Sequence, residues 1–450
     1  MRSALRLSAL PCLALLAVGC ADLDDSEYDD GDIYGSGTAD SVRSELPDRL
    51  VDVPFYFSMP KQAVTTPLDR PDYPQPTVWN PSDSGEDVGL RLIAVEQGST
   101  LSSRKAARRS MSATLGPARV LQTGDIVLSF RPELAGTMAY PHIQMGTTHA
   151  GLVVLDEDGV AFNLDSPLDS EYLGQFDAKH YAGEIGSNGE VKGGTHALHV
   201  LRPRNIDESR RARLQQWSLE LRNNLPRING ERRQVKFQSD YLMPAYAAHG
   251  ATPRQMVTTL GKIILEEDTD TQLPMYCSEF AWHMLALSGC TEAEILEAPE
   301  EGAACVDPPF APMPLIAQTD EEVGISQGPL NALMTLPVEE RSERVPAIFA
   351  EGNAEGLSSG HRAVAESVRP LMGPLADYYQ ARAAGATVED LAESAAAVNA
   401  SFADNYSPTA YFIQAMGDEA NRAVDYVATV VFVDAEGYAK ARELARLPVP

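Results

Sequence analysis

The stretch QLPMYCSEFAWHML, residues 272–285, sets Cys277 between a proline-bearing loop and an apolar helical run. A cysteine so placed can be a packed core thiol, a disulfide partner, a metal ligand or a nucleophile. Nucleophilic chemistry needs the thiolate, which two local fields favour: the positive end of a helix and a neighbouring imidazolium. Cys277, at the start of a predicted helix, meets the first condition. The second requires a histidine from elsewhere, ideally on a strand that holds its ring still. Of eight histidines, His149 in GTTHAGLVVLD is best placed, because its small neighbours leave room for a substrate and for a helix. His142 falls in a Pro-His loop, and His180, His249 and His361 have polar loop or helix-start surroundings. His196 and His199 share a strand at a spacing of three and so face opposite ways. His283 lies six residues along the Cys277 helix and is expected to point away.

A histidine acting as base also needs a polar group on its second ring nitrogen. The next predicted strand, VAFNLD, supplies Asn163 and Asp165. Two apart, they project to one face, so one of them can lie beside His149 on the adjacent strand. The other reading for both is turn capping before Pro167, the role expected of Asp165. The backbone N–H of Cys277 is the expected donor to an oxyanion. Tyr276 either adds a hydroxyl there or only walls the cleft.

These residues need a frame to hold them. From about residue 118 the pattern is of strands: ARVLQTGDIVLSF, with a Gly-Asp turn at 124–125, then TTHAGLVVLD, VAFNLD and GTHALHVLRPR. DESRRARLQQWSLELRNNL reads as an amphipathic helix with an acidic start, and TPRQMVTTLGKIILEE as a second. The Cys277 helix carries Phe280, Met284 and Leu287 at helical spacing and stops at Gly289. Residues 50–117 read as a proline-rich, extended lead-in with a strand or two, such as VDVPFYFSM, and a basic patch, SSRKAARRS. Residues 321–450 read as a mainly helical, alanine-rich region with one strand, YVATVVFVD. No repeat of 20–50 residues appears.

The first nineteen residues stand apart. Arg2 and Arg6 precede a short apolar run ending in small residues, the pattern of a secretion signal and too short for a spanning helix. LAVGC resembles a bacterial lipobox, which implies cleavage before Cys20 and a diacylglycerol on its thiol. Ala17 departs from the leucine usual in that motif. Residues 20–49 open with ADLDDSEYDDGDIYGSGTAD, too acidic and too poor in apolar residues to fold, and read as a tether. Loss of residues 1–19 removes two arginines and no acids, moving the formal charge from −28 to −30. That balance argues against nucleic acid and anionic lipid surfaces as partners.

Cys12 leaves with the signal, so with Cys20 lipidated three cysteines remain. Joining Cys290 to Cys305 closes a short loop and leaves Cys277 as the unpaired thiol. The rival, Cys277 with Cys290, spans one helix at about 1.5 Å per residue, too far for a disulfide.

The residues also carry a resemblance. Gly124–Asp125 at a first strand, Thr148-His149-Ala150-Gly151, and Tyr276-Cys277-Ser278-Glu279 at a helix start resemble the permuted papain-like amidases of the YiiX type. These are relatives of NlpC-type cell-wall peptidases in which the histidine strand precedes the cysteine helix. The resemblance covers about residues 118–290. It implies an α+β, circularly permuted papain-like domain over 118–320, with an antiparallel sheet and packed helices, and a Cys-His-polar triad that hydrolyses amides, thioesters or esters. Carried over by position, the third member is Asn163, where relatives often have glutamate. Asp125 is implied to be a turn residue, and Glu279 to cap or charge the helix start.

The expectation is a lipid-anchored cysteine hydrolase of the cell envelope, acting on wall peptides or lipid acyl bonds without a cofactor. The rivals are a non-catalytic binding lipoprotein of the same shape, and a metal hydrolase using His142, His149 and Cys277. The second lacks any closely spaced ligand pair.

Overall fold

The computed structural model describes residues 50–57, 88–130, 147–165, 173–174, 176–238, 243–314, 388–416 and 422–444. The proposed signal, Cys20, the acidic tether, His142 and His361 lie outside them. Alternating apolar residues build β3 (Ile126–Phe130), β4 (Thr147–Leu155), β5 (Ala161–Leu164) and β9 (Ala197–Pro203), as their period predicts. They join β1 (Leu50–Phe57), β2 (Val88–Glu96), β6 (Leu173–Gly174) and β10 (Val424–Val433) in an eight-stranded sheet ordered β1-β2-β10-β9-β3-β4-β5-β6. Every pairing is antiparallel except β2 with β10. The chain is therefore α+β, with one parallel pair in a sheet expected to be antiparallel throughout. A small hairpin of β7 (Glu184–Ile185) and β8 (Val191–Lys192) stands apart from it.

Alternation gives the sheet two buried faces. Ile126, Leu128, Ala150, Leu152, Val154 and Leu164 share one core with helices α3 (Glu208–Leu225), α5 (Pro253–Ile264) and α6 (Cys277–Leu287). Between them in the chain comes the short α4 (Ala245–Ala248), and after them α7 (Glu292–Leu296). Helices α8 (Val388–Ser401) and α9 (Pro408–Met416) add residues to the same core. Val127, Val153, Ala161, Leu198 and Val200 face the other way, against α1 (Leu101–Leu115) and against Phe176 and Tyr181. Tyr181 stands in a single-turn helix, α2 (Lys179–Ala182). The final helix, α10 (Ala435–Leu444), packs beside β1 and β2.

Two elements of the motifs are explained by backbone demands. Gly124 adopts φ +93°, and a Cβ there would sit 3.0 Å from Ile206, a conformation that glycine alone takes without strain. It delivers the fully buried Asp125 into a clasp in which Arg202 of β9, partly exposed, donates Nε to Oδ1 (2.7 Å) and a second nitrogen to Oδ2 (2.8 Å). Burial nevertheless pushes the Asp125 carboxyl above its ordinary range, against the pull of Arg202. The expected disulfide is present between Cys290 and Cys305, leaving Cys277 unpaired. By loop closure it is worth about 3 kcal/mol.

The division into lead-in, catalytic domain and helical region does not follow the sheet. Residues 50–117, expected to be an extended lead-in with a strand or two, supply β1 at the predicted VDVPFYF, β2, and the unexpected helix α1, while β10 from the last part of the chain inserts between β2 and β9. SSRKAARRS, read as a basic patch, lies within α1, capped by Thr100. Arg108 is buried there and donates to the carbonyls of Tyr181 (2.8 Å) and Thr195 (2.9 Å) and to Gln97 (2.6 Å), with its guanidinium 4.0 Å from the Phe432 ring centroid. Burial, with Arg104 nearby, lowers its pKa to about 9. Helical spacing was masked by the charges, since this helix buries an arginine and serines together with its apolar residues.

A fragment of residues 118–320 is expected not to fold alone. It would lose β1, β2 and β10 from the sheet, leaving β9 an unpaired edge, and would lose α1 from one of its faces. Far-ultraviolet circular dichroism and limited proteolysis of that fragment test this; a cooperative unfolding transition would contradict it.

Candidate active site

Cys277 is the first residue of α6, and Tyr276 is its N-cap. The helix places the thiol at its positive end, with a backbone N–H that has no intrahelical acceptor. α6 packs across β4, the strand that carries His149. Ala150, Leu152 and Val154 face the helical core, so His149, Gly151 and Val153 point the opposite way. The thiol of the helical layer and the imidazole from the other face meet near the N-terminal end of β4, close enough for Cys277 to act on the charge of the ring. Both are buried, with Cys277 1% and His149 4% exposed.

The other side of the imidazole corrects the expected triad. Asp165, not Asn163, holds the ring, with Oδ2 2.6 Å from His149 Nε2. Since Nε2 is engaged by Asp165, Nδ1 is the nitrogen left for the thiol. Asn163 stands one step back and donates Nδ2 to the same carboxylate oxygen at 3.2 Å. The register explains the choice: Asn163 pairs with Val153, two positions past Gly151, while Asp165 follows the last residue of β5 and extends toward the start of β4. Gly151 has a steric role, because a Cβ there would sit 2.1 Å from Asn163 Oδ1. The turn-capping role expected of Asp165 is thus replaced by an ion pair with the imidazole.

Burial alone would lower the pKa of the His149 ring. The Asp165 and Cys277 charges, with hydrogen bonds from both, outweigh it and push the ring up to about 10. The imidazole is therefore held as imidazolium beside the sulfur at neutral pH, the condition for thiolate chemistry.

Two residues missed in the sequence complete the surroundings. The His180 ring centroid is 4.0 Å from that of His149, and Ser129 Oγ, cross-strand from His149, lies 2.9 Å from His180 Nε2. The Tyr181 ring meets His149 edge-on, with centroids 6.1 Å apart. Nothing in the local pattern of DAKHYAG separates these two from an ordinary loop; α2 brings them in over the sheet.

Other expected members lie elsewhere. The Tyr276 hydroxyl accepts the N–H of Tyr406 at 3.1 Å, and burial raises its pKa well above the ordinary value. Tyr276 thus anchors the segment before α9 through its hydroxyl. His283 is buried, with Nδ1 bonded to the Glu279 carbonyl oxygen at 2.8 Å, and its pKa is lowered by burial to about 4. Among the described residues no three His, Cys, Asp or Glu side chains are grouped to hold a metal ion.

Glu279, on the first turn of α6, accepts the N–H of Ala245 at the start of α4 (2.7 Å). Burial raises its pKa to about 8, while hydrogen bonds from Ala245, the Tyr276 backbone and Gln238 pull the other way. At neutral pH the carboxyl is protonated, so no anion opposes a thiolate two residues away. Comparison of the chain with protein-family models, curated sequences and solved structures finds no match.

Two stability measurements test this account. The folded His149 value lies above that of a free imidazole, so the Asp165 pairing contributes fully below pH 6.5 and is lost as pH rises through about 10. Asp165→Asn is expected to cost about 3 kcal/mol at pH 7, with the deficit shrinking above pH 10. Glu279 has the opposite sign: its folded value is raised from 4.5 to about 8, so the native state loses stability as pH climbs between them. Glu279→Gln should gain on wild type across that window by up to about 1.4 kcal/mol per pH unit. Denaturant unfolding at pH 5 and pH 8 reads this, and a difference independent of pH would refute it.

Proposed function

We propose that this chain is a cysteine hydrolase of the cell envelope, with a circularly permuted papain-like core of the YiiX type. The observation that supports the reading best is the His149 imidazole held between the Cys277 thiol and the Asp165 carboxylate. The Cys277 thiolate would attack the carbonyl of an amide, ester or thioester to give an acyl-enzyme. His149 protonates the leaving group and then activates the water that releases the acid. Asp165 fixes the ring and favours its charge, and Asn163 steadies Asp165. The substrates are cell-wall peptides or lipid acyl groups, met at a membrane to which a lipid on Cys20 tethers the chain. Among the described residues no helix is long and apolar enough to cross a membrane. The alternative, a binding lipoprotein that keeps the same shape without turnover, is favoured by the near-complete burial of the thiol.

Iodoacetamide alkylation of the purified chain separates the two. At pH 6, Cys277 in the wild type is expected to react at least about tenfold faster than in His149→Ala. Cys277→Ala should abolish hydrolysis of p-nitrophenyl acetate above the uncatalysed rate. A thiol that is unreactive, or indifferent to His149, would favour the binding protein.

A further inference from the structure

Tyr181 carries a polar atom that the structure leaves without use. Its side chain is 1% exposed, yet its hydroxyl has no hydrogen-bond partner among the described residues. Leaving such a group unsatisfied in a folded core costs about 1–3 kcal/mol. The ring is firmly held: it packs edge-on against His149, His180 and Phe176, with centroids 6.1, 4.9 and 5.2 Å apart. Its backbone is held as well. The Tyr181 carbonyl accepts Arg108 Nε at 2.8 Å and the Thr195 N–H at 2.9 Å, and Arg108 also donates to the Thr195 carbonyl. Burial raises the phenol well above its ordinary value, and the charges of Asp165 and Cys277 raise it further. The hydroxyl therefore keeps its proton on a ring packed against His149, a buried donor without an acceptor among the described residues.

We propose that the Tyr181 hydroxyl is the side-chain donor that binds the oxyanion formed when Cys277 attacks a carbonyl. This rests on the cysteine-hydrolase reading. In the step concerned, a bond forms between Cys277 Sγ and the carbonyl carbon, and the π pair moves onto the carbonyl oxygen. That oxyanion accepts hydrogen bonds from the Tyr181 O–H and the Cys277 N–H, with no proton transferred. On collapse the C=O bond reforms and the leaving group departs, taking a proton from His149 where its basicity requires one. The resting state thus holds an unpaired donor whose acceptor exists only after attack, which is how a donor lowers a barrier without tightening substrate binding.

The test compares two reactions of the same thiol in the full chain. Acylation by p-nitrophenyl acetate passes through an oxyanion, and alkylation by iodoacetamide does not. Tyr181→Phe should slow the p-nitrophenolate burst about 100-fold while leaving the alkylation rate unchanged, with Cys277→Ala as the background. The melting temperature should not fall, because the hydroxyl removed has no partner. An unchanged burst overturns the proposal. So does a parallel loss of alkylation, which would make Tyr181 a support of the thiolate pair. A wild-type chain that alkylates readily but gives no burst also overturns it. A chain whose Cys277 does neither overturns the hydrolase reading itself, so the two failures are distinct.

Discussion

The contact between Asp165 and His149 sets the terms for the rest of the site, because three groups that would each prefer water are held inside the fold. A buried imidazolium without a counter-charge would lose its proton, and a buried carboxylate would gain one. Placed 2.6 Å from the ring, Asp165 holds the imidazole in its charged form, and the thiol lies on the side of the opposite nitrogen. Removing water strengthens the attraction and raises the cost of any misplacement. The surrounding structure therefore reads as a means of fixing one ring: Ser129 and His180 behind it, Tyr181 at its edge, and Asn163 behind the carboxylate.

Glu279 shows the same constraint from the other side. A carboxylate on the first turn of α6 would favour the helix start electrostatically but oppose a thiolate at Cys277. Burial removes the conflict by keeping the group protonated near neutral pH, so that it links two helix starts as a hydrogen-bonding group rather than as a charge. One side chain serves the packing of α4 against α6 without placing a charge beside the Cys277 thiol.

Remote parts of the chain act on the site through the sheet. β10 separates β2 from β9, and β9 in turn pairs with β3, the neighbour of the histidine strand. Arg108 of α1 reaches across to the backbone of Tyr181, so a helix near the start of the described chain positions a ring beside the imidazole. The Asp125–Arg202 clasp binds the turn before β3 to β9. These links make the sheet and the site a single packing problem.

By itself the sequence determined what local spacing can encode. Period-two runs specified β3, β4, β5 and β9; helical spacing specified α3, α5 and α6. The cysteine spacing singled out the Cys290–Cys305 bridge, and His149 and Cys277 stood out by their flanks and by the helix start. Which of Asn163 and Asp165 touches the imidazole was not encoded locally, because both lie on one face and only the cross-strand register decides which reaches the start of β4. The same holds for Tyr276, whose hydroxyl is engaged by Tyr406, and for His180 and Tyr181, brought in by α2. It holds too for α1 and β10, whose places depend on partners hundreds of residues away. Periodicity reports which way a side chain faces along its own element; only the tertiary fold decides what stands opposite it.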